Sequence, residues 1–257
     1  MKLFDINTAI GHWPFRKIDI DTIAKLKKEL DAHEISDAAV TNINSLLYMN
    51  CHEANIELHE WLKGHEKFFS GIATINPFYA KWDNDLTEAV KNFKFRGVRL
   101  VPQYHDYELG SVPAEFAQLA ASLGIPVFIP HRVSDIRQRH WMDTEKTIGF
   151  DEVYDFSMKY PETKVIYTEA SVSAECFKGK KKCPNLFFEI SRMRSSYGQQ
   201  ISRLASVIGY EQLLFGSGSP FKEITPAILK LEHADLKSNE RTAIAYGNAA
   251  KLLKIKR

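Results

Sequence analysis

Leu213-Leu214-Phe215-Gly216-Ser217-Gly218-Ser219-Pro220 reads as the end of a buried strand, Gln212 to Ser217, that stops on small residues. Consecutive apolar residues suit a strand covered on both faces. The glycines and serines leave room above the strand end, and Pro220 starts the exit toward a helix. A strand that ends on a cavity this close to the C-terminus fits the last strand of a barrel whose site lies at its C-terminal face. The loop carries no carboxylate, His or Cys. Any chemistry at that face must therefore come from other strand ends.

Strand and helix patterns alternate along the whole chain. Strands are predicted over Leu3–Asn7, Asp37–Thr41, Phe68–Ile75, Gly97–Val101, Pro126–Ile129, Lys164–Thr168 and Leu186–Ile190, with Gln212–Ser217 as the eighth. Helices are predicted over Ile20–His33, Cys51–His65, Asp83–Phe93, Pro113–Leu123, Asp151–Lys159, Ser173–Lys181, Gln199–Ile208, Ile224–His233 and Asn239–Leu253. Ile20, Ile23, Ala24, Leu26 and Leu30 illustrate the helical period. A long loop, His131 to Phe150, follows the fifth strand. Alternation of this kind argues for a parallel sheet, and eight units in a chain of 257 residues argue for a closed (β/α)8 TIM barrel, one α/β domain over residues 1–257. An open dinucleotide-binding sheet would need a Gly-rich first turn, and Asn7 to Gly11 has one Gly.

Composition narrows the function. The net charge is +2, with 26% charged residues and no long run of one sign. The short cluster Lys178-Gly179-Lys180-Lys181-Lys182 is a solvated face, so nucleic-acid binding is not expected. No stretch reaches the roughly 18 apolar residues of a membrane span, and the first residues lack an apolar signal region. Three cysteines without close spacing point to reduced thiols and a cytoplasmic location. A small-molecule partner is expected. Assembly with further copies of the chain is left open.

In a barrel, function sits on the loops after the strands. The strand-end residues are Asp5 and Asn7, Asn42 and Asn44, Asn76, Arg99 with the Gln103-Tyr104-His105 loop, His131 and Arg132, Glu169, Glu189 with Arg192, and Ser217 with Ser219. Such a set suits a polar or anionic small molecule, although polar residues at strand ends also satisfy fraying backbone groups. Arg99 lies inside the fourth strand, where a buried guanidinium needs a carboxylate or a ligand; Asp5 and Glu189 are the candidate partners. Glu169, His131 and Asp5 are the candidate catalytic residues, with Glu169 as general base and His131 or His105 as acid. Asn7, Arg99, Tyr104, His105, Arg132 and Arg192 are the candidate ligand-binding residues, the arginines as an anion clamp.

Several segments resemble the amidohydrolase-related ("amidohydrolase 2") family of metal-dependent TIM-barrel hydrolases and decarboxylases. Phe4-Asp5-Ile6-Asn7-Thr8-Ala9-Ile10-Gly11 stands where that family has Asp-x-His-x-His. Gly97 to His105 resembles its fourth-strand segment, and Pro126 to His131 its fifth strand with a ligand His. Phe215-Gly216-Ser217-Gly218-Ser219-Pro220 resembles its Phe-Gly-Ser-Asp-x-Pro motif, and Tyr246-Gly247-Asn248-Ala249 its terminal helix. The resemblance implies a hydrolase or lyase acting on a small polar or anionic molecule, with zinc or another divalent metal as the family's usual cofactor. Against that pattern, Asn7 and Ala9 replace the motif histidines, Glu169 the sixth-strand His and Gly218 the eighth-strand Asp, while Pro130 competes with His131 for the ligand slot. The expectation is therefore no metal ligands and no cofactor. The alternative reading is a non-catalytic barrel that binds a metabolite.

Overall fold

The computed structural model describes residues 1–194 and 199–255. The strands are β1 (Leu3–Ile10), β2 (Ile35–Asn42), β3 (Phe69–Thr74), β4 (Gly97–Arg99), β5 (Val127–Pro130), β6 (Val165–Thr168), β7 (Leu186–Glu189) and β8 (Leu213–Leu214). They form one sheet in sequential order, every neighbouring pair parallel. Beyond Leu214 the chain runs on beside β1. Ile6 N donates to Phe215 O (3.0 Å), Gly218 N to Asn7 O (3.0 Å) and Ala9 N to Ser219 O (2.9 Å). Those bonds close the sheet, and the fold is a TIM barrel.

The helices between the strands are α1 (Ile23–Ala32), α2 (Cys51–Leu62), α3 (Trp82–Lys91), α4 (Pro102–His105), α5 (Ala114–Leu123), α6 (Phe150–Lys159) and α7 (Gln199–Ile208), and α8 (Thr225–Glu232), α9 (Ser238–Thr242) and α10 (Asn248–Leu252) follow β8. Their apolar stripes, such as Ile23, Leu26 and Leu30, pack on the outward side chains of the strands. Inside the barrel, Phe4, Ile6, Ala39, Ile72, Phe128, Ile166 and Leu214 form a second cluster, plugged from below by Ala249, Leu252 and Leu253. Strand side chains alternate with a period of two. The layer two residues further along the strands therefore includes Thr41, Thr74, Arg99 and Glu189. It is polar, and it forms the floor of the C-terminal face.

The expected elements depart from the structure in instructive places. The eighth strand keeps regular pairing only at Leu213 and Leu214; beyond them Phe215 N donates to Ile244 O and Ser217 N to Asp5 Oδ1. The fourth strand stops at Arg99, since Pro102 opens the one-turn helix α4, in what was expected to be a loop. The helix predicted over Ser173–Lys181 is only a 3-10 turn, Ala174–Phe177. Gly179 has φ +75, and Phe177 is anchored against Phe150 and Phe188 at ring distances of 5.1 and 5.6 Å. The helix predicted over Asn239–Leu253 is split by a π-helical turn, Ala243–Gly247. Ile244 O there accepts from Phe215 N (3.0 Å), while Asn248 Nδ2 donates to Tyr210 O (2.8 Å) and Leu213 O (2.9 Å). The Gly247-Asn248-Ala249 motif thus ties the closing helices to the strand the barrel ends on. Cys51, Cys176 and Cys183 are free. Among the described residues, no helix is long and apolar enough to cross a membrane.

Candidate active site

The ends of β6, β7 and β8 carry a connected set of charges. Glu169, one residue past β6, is 4% exposed and has φ +58, which turns its side chain across the barrel mouth. Its Oε1 accepts from Asn7 Nδ2 (2.7 Å), and its Oε2 accepts from Arg192 Nε (2.6 Å) and faces Lys222 Nζ at 3.1 Å. Burial works to raise its pKa, and the Lys222 and Arg192 charges outweigh that and hold it below the ordinary value. Glu189 is 1% exposed. It accepts from Ser191 Oγ (2.9 Å), Glu169 N (3.1 Å), Asn7 Nδ2 (3.3 Å) and Ser191 N. Burial pushes its pKa up against the pull of Lys222, and the Glu169 charge adds to the rise. Two carboxylates joined through one Asn amide thus settle in opposite directions, because the cations crowd Glu169.

Arg192 bridges outward. Its Nη1 donates to Asp135 Oδ2 (2.7 Å), on the loop after β5, and its Nη2 is buried with no hydrogen-bond partner among the described residues. Lys222 Nζ also donates to Ser191 Oγ, and Lys230 Nζ to Ser191 O (2.6 Å). Asp5 lies beside this set, fully buried. It accepts from Asn7 N (3.1 Å), Ser217 N (3.0 Å) and Ser217 Oγ (2.5 Å). Burial lifts its pKa to about 7 despite those hydrogen bonds.

Arg99 is 6% exposed and forms no side-chain hydrogen bond or ion pair with any described residue. The partners expected for it, Asp5 and Glu189, are instead held by Ser217 and Ser191. Burial pulls its pKa down to about 10, opposed mainly by the charge of Glu169. His131 Nδ1 donates to Ile148 O (2.8 Å), and a carbonyl only accepts, so the ring's proton sits there. Burial and then the charges of Arg132 and Arg192 lower its pKa, which keeps it neutral at pH 7. Arg132 lines the mouth with its Nε unpartnered among the described residues. Tyr104 OH donates to Asp143 Oδ1 (2.9 Å), and Ser134 Oγ to Asp143 Oδ2 (2.7 Å), so both fasten the loop after β5. His105 Nε2 donates to Ser45 O (3.0 Å), away from the charge cluster, and burial lowers its pKa. The structure therefore joins Asp5, Asn7, Glu169 and Arg192 into one neighbourhood with Arg132 at its rim. It gives Tyr104, His105 and His131 backbone- or loop-holding bonds.

The room that Gly216 and Gly218 leave is filled by the chain itself. A Cβ at Gly216 would lie 2.5 Å from Glu189 Cγ, and one at Gly218 would lie 2.2 Å from Lys222 Cε and 2.4 Å from Glu169 Oε1. The small residues of the last strand accommodate a carboxylate–ammonium layer. Lys222, Ser191, Asp135 and Lys230 were missed in the sequence. The one available signal was that Ser191 and Lys222 follow strand ends already marked by Glu189 and Pro220.

These side chains do not suit the divalent ion that the family resemblance implies. Asn7 offers an amide and Ala9 a methyl group, and Gly218 offers nothing. Both Glu169 oxygens are taken by an amide and two cations. Among the described residues, no group of three or more His, Cys, Asp or Glu side chains could hold a metal.

Above the cluster lies a cleft of about 920 Å³. Its lining includes Arg16, Arg132, Arg192, Arg194, Lys222 and Lys230, against the carboxylates of Asp135 and Glu223, with Ser191 and Ser217 at its base. Such a lining favours an anion of small-molecule size.

A family model described as "Amidohydrolase" matches residues 29–255. A comparison with curated proteins gives no match. Among solved structures, the chain is similar to 5-carboxyvanillate decarboxylase from Sphingomonas paucimobilis (TM-score 0.76, 13% identity, 99% of each chain covered). It is also similar to 2,6-dihydroxybenzoate decarboxylase from Rhizobium (TM-score 0.72, 15% identity, 99% of this chain and 98% of that one). A third is a dihydroxybenzoic acid decarboxylase from Polaromonas sp. JS666 with bound manganese and the inhibitor 2-nitroresorcinol (TM-score 0.73, 16% identity, 100% of this chain and 98% of that one). At these identities the likeness shows the fold.

Proposed function

We propose, for a chain that belongs to the amidohydrolase family, a hydrolase or lyase that binds a small carboxylate-bearing molecule in the cationic cleft and acts on it without a resident metal ion. The observation that carries this reading is the cleft lining, where cations outnumber carboxylates and those carboxylates nearest the floor are already paired. The names of the similar structures, decarboxylases of aromatic carboxylates, agree with a carboxylate ligand. Arg132, Arg192 and Lys230 are the proposed clamp, and the orphan donors Arg132 Nε and Arg192 Nη2 supply hydrogen bonds that no described residue uses. Glu169 serves as the anchor that holds Arg192 and Lys222. A carboxylate whose pKa is depressed by two cations is a weak base, so this role displaces that of general base. Asn7 fixes Glu169, and Asp5 fixes the turn at Ser217.

Titration calorimetry with benzene-1,3-dicarboxylate and with its neutral diamide tests the reading, alongside metal emission spectroscopy on the purified protein. The expected result is binding of the dianion only, weakened about tenfold or more in Arg132→Ala and in Lys230→Ala, with no stoichiometric metal. Equal binding of the diamide, or about one equivalent of zinc, manganese or iron that leaves with activity, would overturn it.

A further inference from the structure

We propose that Ser191 is the reacting hydroxyl of this cleft, a nucleophile with Glu189 as its base and Lys222 as its charge partner, and that the substrate class is an ester or amide of a small dicarboxylic acid. This rests on the anion-binding reading above and adds the reaction type.

Four contacts carry it. Ser191 Oγ donates to Glu189 Oε2 at 2.9 Å, so the proton that must leave already points at a carboxylate. Lys222 Nζ donates to the same Oγ, which favours the developing alkoxide. Lys230 Nζ on Ser191 O (2.6 Å) and Ser191 N on Glu189 Oε1 fix the backbone on both sides. Arg192, the next residue, has a buried Nη2 with no partner among the described residues, although its side chain is only 9% exposed. A buried donor left unpaired loses stability that a ligand oxygen restores. Ser191 and Arg192 thus line the cleft side by side, with Glu189 buried directly behind the hydroxyl, and acyl transfer needs a nucleophile, base and oxyanion donor so grouped.

The contrast with Ser217 is informative. Ser217 also lines the cleft and also donates to a buried carboxylate, Asp5. Its Oγ accepts from Ser219 N (3.0 Å), a backbone bond that holds a turn, and no cation among the described residues hydrogen-bonds to it. Ser191 has the ammonium, and Ser217 does not. Burial of Glu189 raises its proton affinity, the direction that strengthens a general base.

The chemistry balances without a co-reactant other than water. Ser191 Oγ bonds to the carbonyl carbon as its proton passes to Glu189, and the carbonyl π electrons become an oxyanion facing Arg192 Nη2. Collapse breaks the bond to the leaving oxygen or nitrogen, which takes the proton back from Glu189. Water then attacks the acyl-Ser191 carbonyl, giving its proton to Glu189. That proton returns to Ser191 Oγ as the acid departs. The second carboxylate of the substrate rests on the clamp of Arg132 and Lys230.

The mono-4-nitrophenyl ester of succinic acid is a suitable probe on the full chain. Nitrophenolate release is followed by absorbance, and the acyl adduct is located by peptide mass spectrometry. The expected result is a burst with the adduct on Ser191, and a fall in the acylation rate of about a hundredfold or more in Ser191→Ala and in Glu189→Gln. Calorimetry of the dicarboxylate with Ser191→Ala separates the two readings. Retained anion binding without acylation in the parent sinks the nucleophile and leaves the cleft assignment standing, whereas a parent that binds no anion removes both. An adduct at another residue, or full turnover in Ser191→Ala, also sinks it. If the alanine variant fails to fold, Ser191→Cys keeps the volume, and faster alkylation of the new thiol by iodoacetate than by iodoacetamide is the result required.

Discussion

Gly218 has φ +78, a conformation in which side chains are strained, and its absent Cβ would meet the Lys222 side chain and Glu169 Oε1. A methyl group there displaces Lys222 from both Glu169 and Ser191. Gly218→Ala is therefore expected to lose about 1–3 kcal/mol in urea denaturation, together with weaker dicarboxylate binding. Asp5 gives a second test at this scale. Its folded pKa, about 7, lies above its ordinary 3.8. Between those values the folded chain holds a proton that the unfolded chain has released, so this group's contribution is greatest in acid and falls as pH rises toward 7. The loss amounts to something on the order of 4 kcal/mol. Asp5→Asn keeps an acceptor for Asn7 N and Ser217 N and cannot ionise. Denaturation from about pH 4 to pH 8 should show the parent losing stability relative to the variant. A constant difference across that range means that Asp5 is ionised throughout. The strand-end carboxylates and arginines were legible in the sequence as polar residues at predictable depth. Ser191 and Lys222 were not, because no local pattern separates them from ordinary loop residues, and Asn7 meets Glu169 only once the barrel closes.

At the scale of elements, the segment between β5 and α6 decides whether the clamp is built. Asp143 is 4% exposed and accepts from Tyr104 OH, Ser134 Oγ and Thr144 N, while Arg139 Nη1 donates to its backbone oxygen (2.8 Å). These bonds hold the loop that presents Arg132 and Asp135. Asp143→Asn removes the charge and turns one acceptor oxygen into a donor, so at least one of the three bonds is lost or reversed. The expected outcome is about 1–3 kcal/mol less stability, faster limited proteolysis within residues 135–147 and a lower affinity for the dicarboxylate. Unchanged proteolysis would mean that the loop is held by other contacts. The sequence marked this loop by its length and its arginines, but nothing in it reveals which acid is the hub. Periodicity located the helices that pack on the sheet. It failed over Ser173–Lys181, where one aromatic anchor and Gly179 outweigh the helical spacing, and at Ala243–Gly247, where a backbone bond to Phe215 bends the closing helix.

For the whole molecule, the barrel was readable because eight strand–helix repeats leave few topologies for a parallel sheet. The charge distribution was hidden by the same folding that creates it. A net charge of +2 gives no hint of polarity, yet the closed sheet collects Arg16, Arg132, Arg192, Arg194, Lys222 and Lys230 around one opening. Low-dielectric walls there focus the field, and its reach into solvent is limited by salt to about 8 Å at physiological ionic strength. Binding of a dianion should therefore weaken as sodium chloride rises from low concentration to about 0.5 M, by roughly tenfold, while a monoanion of the same shape weakens less and its neutral amide does not respond. Calorimetry across the salt series measures this directly. The slope should flatten in Arg132→Ala and Lys230→Ala, whose side chains line the cleft. It should be little changed in Lys17→Ala, a surface substitution far more exposed and outside that lining. A salt-independent affinity would mean that recognition is confined to the buried Arg192 and Lys222 contacts, with the outer cations contributing nothing to capture.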